Sequence, residues 1–304
     1  MRIGIDLGGT KTEVVALDEY DEVLYQARLA TPQGNYQASL QIIQQLVLQA
    51  EVACGYQGSV GIGTPGALSP STGRLRNCNS TCLNDQPFLQ DISHLLGREV
   101  RISNDANCFA LSEATDGAGN DHKVVLGVIL GTGCGAGIVI DKKILNGRQA
   151  IAGEWGHNPL PYASSDELKH ECWCGRRACI ETFVSGPALE HSYQTVSGHN
   201  KSCYQIVELA EQGDTDAELV LQRYELYLAR SLAHIINILD PDVVVLGGGL
   251  SNVERLYKNV PQLWQPYVFS DQVATQLVAP RFGDSSGVRG AAWLWPKTSE
   301  HSNG

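Results

Sequence analysis

The sequence has no cluster of basic residues and no unbroken apolar stretch long enough to span a membrane. Its 22 lysines and arginines are outnumbered by 33 acidic residues, which gives a net charge of -11. An acidic chain without a basic block is a poor match for nucleic acid, so no nucleic-acid partner is expected. The longest apolar run, residues 124–140, is interrupted by five glycines. This run predicts two strands and a loop rather than a membrane span.

The sequence also lacks the features of a secreted, disulfide-stapled protein. Its nine cysteines are an odd number, and no basic segment followed by an apolar one stands at the start. With 304 residues, the chain is long enough for two domains with their own cores, so disulfides are not needed for folding. We therefore expect a cytoplasmic protein, in which clustered cysteines indicate a metal site before they indicate a disulfide.

Strand and helix patterns alternate along the first half of the chain. Three apolar segments within the first thirty residues predict an antiparallel meander. Helical periodicity follows at 36–53, 87–96 and 106–114, with strands predicted at 59–66 and 99–103. This alternation is typical of the α/β fold class.

The plan of the amino terminus recurs in the second half. "IDLGGTKTEVVALDEYDEVL" and "VILGTGCGAGIVIDKKIL" both contain an apolar strand, a glycine-threonine turn, a second strand, an acidic turn and a third strand. Such internal similarity predicts two duplicated α/β domains around a cleft, at residues 1–117 and 118–304. A helix at 217–239 and a buried strand at 242–249 belong to the second domain. A last helix at about 286–297 is expected to pack back on the first.

Three glycine-rich loops are candidates for binding phosphate. The first lies between two strands, which excludes both the Walker loop and the dinucleotide-binding fingerprint. Backbone N–H groups of such a turn can still point at phosphate oxygens, although a plain β-turn without a ligand is an open alternative. The third ends a buried strand, where close packing of a helix is the alternative. Together the loops indicate a nucleotide; they are Gly8, Gly9 and Thr10, then Gly131, Thr132 and Gly133, then Gly247, Gly248 and Gly249.

The segment "SNDANC" carries a carboxylate at a strand-to-helix junction. Phosphoryl transfer to an alcohol needs positioning, Mg²⁺ and a base for the hydroxyl proton, and Asp105 is a candidate for that base. The alternative is that Asn104 or Asp105 only caps the following helix, a role that both residue types favour.

The segment "HECWCGRRACIE" is a candidate metal site. Cys172, Cys174 and Cys179, together with the preceding His157, offer three thiolates and one imidazole. This donor set suits a structural Zn²⁺ with no open coordination position. A Cys172–Cys179 disulfide and buried free thiols are the alternatives.

Seven motifs occur in the order seen in the ROK family of sugar kinases, and the chain resembles that family over essentially its whole length. They are "IDLGGTKTEVVALD", "GIGTPG", "NDANC", "VILGTGCGAGIVID", "AGEWGHNPL", "CWCGRRACIE" and "VVVLGGG". The resemblance implies the actin-like ATPase fold, which is ribonuclease H-like, and is strongest to the bacterial fructokinases of manno(fructo)kinase type. The chain departs from the family pattern at Ala178, where a glycine is usual.

The resemblance also implies roles for individual residues. Asp105 corresponds to the catalytic aspartate, Asp6 to an anchor for Mg²⁺-bound water, and Lys11 and Thr132 to phosphate contacts. The implied sugar contacts are Gly66, Asn79, Asn104, Asp105, Glu154, His157 and Glu181. For Glu154 and Glu181, simple surface solvation is the alternative.

The expected activity is a hexose kinase that uses ATP and Mg²⁺, with fructose as first acceptor at its 6-hydroxyl and mannose next. Glucose and N-acetylglucosamine remain alternatives, and a homodimer without membrane partners is expected. A sugar-sensing repressor of the same family is disfavoured because its helix-turn-helix would have to precede the first glycine loop, which starts at Asp6. A zinc hydrolase is disfavoured because the site has no open position.

Overall fold

The computed structural model describes residues 1–296, which form two mixed sheets of five strands each and one short hairpin. The strands are β1 (Arg2–Leu7), β2 (Lys11–Leu17), β3 (Val23–Ala30), β4 (Ser59–Thr64), β5 (Ala67–Leu68), β6 (Leu75–Arg76), β7 (Val100–Asn104), β8 (Val124–Leu130), β9 (Cys134–Ile140), β10 (Lys143–Ile144), β11 (Val243–Gly247) and β12 (Gln276–Val278). The helices are α1 (Tyr36–Cys54), α2 (Phe88–Leu96), α3 (Asp105–Thr115), α4 (Glu181–Val184), α5 (Gly186–Ser197), α6 (Cys203–Glu211), α7 (Thr215–Leu239), α8 (Arg255–Trp264) and α9 (Ser286–Trp293).

The two sheets repeat one topology. The first has the order β3-β2-β1-β4-β7, and the second has the order β10-β9-β8-β11-β12. In each sheet three strands form an antiparallel meander, and the remaining two run parallel to its first strand. The α/β fold class and the meander predicted at the amino terminus are therefore confirmed. The domain boundary between residues 117 and 118 stays a prediction.

Helices α3 and α9 lie between the sheets and contact them at very short range. A Cβ added at Gly4 in β1 or at Gly61 in β4 would stand 2.0 Å from the Val288 carbonyl oxygen or 1.9 Å from that of Ala291. Because real side chains do not approach backbone atoms this closely, only glycine permits α9 to pack on the first sheet. Helix α9 packs equally closely on α3, where a Cβ added at Gly290 would stand 1.6 Å from the Cys108 carbonyl oxygen. The end predicted for this last helix, at 297, lies outside the described residues.

Local signals explain where the longer helices begin and end. Asn35 caps α1 through a hydrogen bond from the Ala38 N–H, and Gly55 ends the helix in the left-handed conformation with φ of 80°. Asp214 caps α7 in the same way through Ala217. None of the helices among residues 1–296 is both long and apolar enough to cross a bilayer.

Several elements were absent from the sequence prediction. The hairpin of β5 and β6 has two residues per strand, which is too short for alternation to be recognised. Helices α5, α6 and α8 were also missed; α8 contains Pro261, a residue that usually argues against a helix interior. The hairpin matters for the site because Arg76 at its end donates a hydrogen bond to the Gln149 carbonyl of the second half.

Candidate active site and metal centre

Asp105 and Asn104 stand where β7 turns into α3. Asn104 is the N-cap: its side-chain oxygen accepts from the Asn107 N–H at 2.9 Å. Asp105 Oδ1 accepts from the Ala106 N–H at 2.7 Å. The capping interpretation is confirmed for Asn104. Asp105 is held in place at the N-terminus of α3 by its hydrogen bond with Ala106.

Three carboxylates converge at this junction. Asp105 is exposed at the cleft, yet desolvation by the surrounding protein raises the pKa of its carboxyl group. The hydrogen bond from Ala106 lowers this pKa, and the negative charge of Glu154 raises it further. The half-buried Asp6 has its pKa raised to about 7, first by desolvation and then by the charges of Asp105 and Glu13. Glu154 belongs to the second half of the chain, so the site is assembled from both halves.

The first glycine loop joins β1 to β2 and is held by hydrogen bonds with residues of the adjacent strands or directly after them. The Gly8 N–H donates to the Lys11 carbonyl at 3.0 Å, and the Thr31 hydroxyl donates to the Gly8 carbonyl at 2.8 Å. Gly9, Thr10 and Lys11 are exposed. Gly8, Gly9 and Thr10 line a cavity of about 340 Å³ together with residues 79–83. The loop therefore lies at the edge of an open cavity, with the Gly8 N–H already engaged by Lys11.

The second glycine loop joins β8 to β9 and is held by more distant residues. The Gly131 carbonyl accepts from the Gly186 N–H at 2.8 Å. Glu181 Oε2 accepts from the Cys134 N–H at 2.9 Å, directly after Gly133. Thr132, at the tip, is exposed. The tip is therefore available to a ligand while the base of the loop is fixed from the side of α4 and α5.

The third glycine run lies beside the second loop, and packing explains two of its three members. A Cβ at Gly247 would lie 2.6 Å from the Phe109 ring, and one at Gly248 would lie 2.5 Å from the Leu130 carbonyl oxygen. Gly249 has open space around it. The packing alternative accounts for Gly247 and Gly248, whereas nucleotide binding by this run stays a prediction.

His157, Cys172, Cys174 and Cys179 form the metal-ligand cluster that the sequence predicts. Their ligand atoms all lie within 4.8 Å of one another. Cys174 Sγ is 3.6 Å from Cys179 Sγ, and Cys172 Sγ is 3.8 Å from His157 Nδ1. A tetrahedral Zn²⁺ with Zn–S bonds of about 2.3 Å would set neighbouring sulfurs about 3.8 Å apart. The cluster therefore fits zinc, and the cysteines are not disulfide-bonded.

The backbone around the cluster turns through two left-handed residues. Gly175 has φ of 84°, and Ala178, at the position where the family pattern has glycine, has φ of 53°. An alanine in this region is strained by contact between its Cβ and the backbone. The Ala178 methyl group is nonetheless buried, at 1% exposure, in the core of the second half.

Trp173 and Glu181 connect the metal cluster to the second glycine loop. The Trp173 indole N–H donates to Glu181 Oε1 at 2.6 Å, and its ring meets His157 edge-on with 5.1 Å between centroids. Trp173 was not predicted as a functional residue. The signal for it in the sequence is its place between Cys172 and Cys174, two predicted metal ligands.

The other predicted sugar contacts line the cleft less directly. Asn79 is exposed and borders both the 340 Å³ cavity and a larger one of about 690 Å³, which Trp173 and Arg76 also line. Gly66 is closely packed, because a Cβ there would lie 2.3 Å from the Arg76 carbonyl oxygen. The roles assigned to these residues stay predictions.

The chain is similar to proteins of one family over nearly its whole length. The sequence profile of the ROK family matches residues 2–298. N-acetyl-D-glucosamine kinase of Yersinia pseudotuberculosis serotype O:1b (strain IP 31758) is 40% identical over 299 residues, covering 97% of this chain and 98% of that protein. N-acetyl-D-glucosamine kinase of Haemophilus influenzae (strain 86-028NP) is 39% identical over 301 residues, covering 97% and 99%.

Two solved structures match the fold over nearly the whole chain. ROK hexokinase from Thermus thermophilus has a TM-score of 0.85 and 29% identity, with 96% of each chain covered. A ROK family glucokinase from Streptomyces griseus, in complex with glucose and AMPPNP, has a TM-score of 0.77 and 27% identity, with 96% of this chain and 98% of that one covered. The two-sheet architecture is that of these enzymes.

Proposed function

This chain belongs to the ROK family and is an ATP-dependent sugar kinase, and we propose that its acceptor is N-acetyl-D-glucosamine. The observation that carries the proposal is the 40% identity, over 97% of the chain, to an N-acetyl-D-glucosamine kinase. Fructose, the acceptor expected from overall resemblance, has no support among the relatives described above. N-acetylglucosamine was the alternative within the same activity and is now the better supported acceptor.

In the proposed reaction Asp105 is the general base. It would take the proton of the sugar hydroxyl as that oxygen attacks the γ-phosphorus of ATP and the β–γ bridging oxygen leaves with ADP. A base works best when its pKa approaches the working pH, and desolvation raises the pKa of Asp105 in that direction. The Ala106 N–H fixes one carboxylate oxygen, and the residue is exposed to solvent.

The carboxylates of Asp6 and Asp105 fit a site for Mg²⁺ bound with ATP. Mg²⁺ prefers oxygen ligands and keeps several of its waters. The pKa of Asp6 is raised first by desolvation and then by the charges of Asp105 and Glu13, and a cation nearby would relieve the repulsion between these carboxylates. When bound, the ion supplies neutralisation of charge on the β- and γ-phosphates. Asp6 would hold one of its waters, and the N–H groups of the two glycine loops would hold phosphate oxygens.

The zinc cluster would have a structural role at the sugar side of the cleft. Its four protein ligands leave no position for a metal-bound water. Binding of zinc through one His157 nitrogen fixes the orientation of the imidazole ring. His157 and the neighbouring Glu154 would thereby be aligned with sugar hydroxyls.

The homodimer expected from the sequence stays a prediction, and light scattering is the measurement that checks it.

The test is ADP release from Mg-ATP with N-acetylglucosamine, fructose, mannose and glucose in parallel, using zinc-loaded protein. We expect N-acetylglucosamine to give the highest kcat/KM. Higher kcat/KM with fructose would restore the first expectation about the acceptor. No ADP release with any of the four sugars would contradict the proposed activity.

A further inference from the structure

Both carboxylate oxygens of Glu181 are occupied by donors from two different segments. Oε2 accepts from the Cys134 N–H at 2.9 Å, at the base of the second glycine loop. Oε1 accepts from the Trp173 indole N–H at 2.6 Å, between two cysteines of the zinc cluster. One side chain at the start of α4 therefore joins the metal loop to a candidate phosphate-binding loop.

The orientation of Trp173 is set by polar contacts rather than by burial. Its side chain is 74% exposed, so little apolar area is removed from water to hold it. The ring lies nearly perpendicular to that of His157, at 82°, and its N–H is aimed at Glu181. Since His157 is a candidate zinc ligand, the contacts run in an unbroken series from the metal cluster through Trp173 and Glu181 to Cys134.

We infer that Trp173 is a positioning residue that transmits the geometry of the zinc loop, through Glu181, to the second phosphate-binding loop. The inference rests on the proposed use of ATP, and it differs from the role that family resemblance implies for Glu181. A carboxylate engaged only with sugar would affect sugar binding, whereas a carboxylate that fixes the Cys134 N–H also affects how the adjacent Gly131–Gly133 loop receives phosphate. The zinc loop then acts on ATP as well as on the sugar.

Trp173→Phe isolates this contact. Phenylalanine retains an aromatic ring against His157 but removes the donor to Glu181 Oε1, which leaves the carboxylate free to turn away from Cys134. Losing one hydrogen bond to a charged, partly exposed group should weaken ATP binding about fivefold. Trp295→Phe is the matched control, because its indole N–H donates to the Val60 carbonyl at 2.7 Å in the first sheet.

The measurements are KM for ATP and for N-acetylglucosamine, calorimetric titration of AMPPNP with Mg²⁺ in the absence of sugar, and zinc content. For Trp173→Phe we expect a higher KM for ATP, weaker AMPPNP binding, and zinc content and KM for sugar close to those of wild type. Unchanged AMPPNP affinity, a rise confined to the KM for sugar, or loss of zinc would each overturn the inference. Absence of kinase activity in wild type would count against the proposed function instead, and AMPPNP titration would still test this contact.

Discussion

The two glycine hairpins have one plan and two different attachments. The first, between β1 and β2, is closed by Lys11 at the start of β2 and by Thr31, which directly follows β3. The second, between β8 and β9, is held by Gly186 and Glu181, which follow the zinc cluster in the chain. The repeated topology explains why both hairpins exist. The difference in attachment indicates that only the second depends on the metal loop.

The largest expected effect is a loss of kcat on substitution of Asp105, with nucleotide binding by the two glycine hairpins retained. Asp105→Asn keeps an oxygen to accept from the Ala106 N–H but cannot take up a proton. We expect kcat to fall about a thousandfold, within the range for loss of a general base. AMPPNP binding, measured by calorimetry, should change little. A variant that retains wild-type kcat would remove Asp105 from the proposed role.

Removal of zinc should loosen the second glycine hairpin and leave the first unchanged. Structural zinc sites contribute on the order of 10 kcal/mol of apparent binding free energy, so Cys179→Ser is expected to lose the metal and loosen residues 153–185. Hydrogen exchange followed by mass spectrometry should then show faster exchange at residues 131–134 and unchanged exchange at 7–12. Equal acceleration in both hairpins would show that the second is not specifically attached to the metal loop.

Alanine substitutions at Gly133 and Gly9 test whether the two hairpins differ in their attachment. A Cβ at Gly133 would lie 2.8 Å from Glu181 Oε2, whereas the nearest atom to a Cβ at Gly9 is Ser80 Oγ at 3.5 Å. Gly133→Ala must displace Glu181 and lose its hydrogen bond to Cys134, so the KM for ATP should rise about fivefold. Gly9→Ala should raise it less. The reverse order in steady-state kinetics would contradict the assigned attachments.

Asp6, which precedes the first glycine hairpin, should make the stability of the protein depend on pH. Its pKa is raised from 3.8 to about 7 in the folded protein, so between these values the folded state keeps a proton that the unfolded state has released. The resulting contribution to stability is full below about pH 4 and is lost as pH rises through about 7. Without Mg²⁺ and nucleotide, the Tm of wild type relative to Asp6→Asn should fall over that interval. A constant difference would mean that the pKa of Asp6 is not raised.

The smallest effect is expected at Ala178. Glycine would relieve the strain of φ at 53°, but it would also remove a buried methyl group, worth about 0.8 kcal/mol, and increase the freedom of the unfolded chain. Because these terms oppose one another, Ala178→Gly should change the free energy of unfolding by less than about 1 kcal/mol. Chemical denaturation of zinc-loaded protein is the measurement, and a loss above about 2 kcal/mol would show that the methyl group matters more than the strain.

Much of the fold follows from short-range patterns in the sequence. Strand alternation predicted the meander of β1 to β3, and helical periodicity placed α1, α3 and α7 within one or two residues of their observed bounds. The zinc cluster was predictable because the chemistry of thiolates and imidazole restricts the metal, and three of the four ligands lie within eight residues of one another. Periodicity carried no such information for the hairpin of β5 and β6, where only two residues form each strand.

Contacts between distant segments were beyond sequence reasoning. Glu181 meets Cys134 across 47 positions of the chain, and nothing in either local sequence predicts that pairing. The identity of the acceptor was also beyond sequence reasoning. Fructose and N-acetylglucosamine differ in their hydroxyl groups and in the acetamido group that only the second carries. Recognition of these groups depends on side-chain positions to a fraction of an ångström. The relatives' identities, rather than motif spacing, favour N-acetylglucosamine.

The acceptor and the role of Asp105 are tested together by a competition experiment in one tube. Zinc-loaded protein is incubated with Mg-ATP and equal concentrations of N-acetylglucosamine and fructose, and the two sugar phosphates, which differ in mass, are quantified by mass spectrometry. We expect mainly N-acetylglucosamine phosphate, and about a thousandfold less of it with Asp105→Asn. A predominance of fructose phosphate, or undiminished product from the variant, would contradict this expectation.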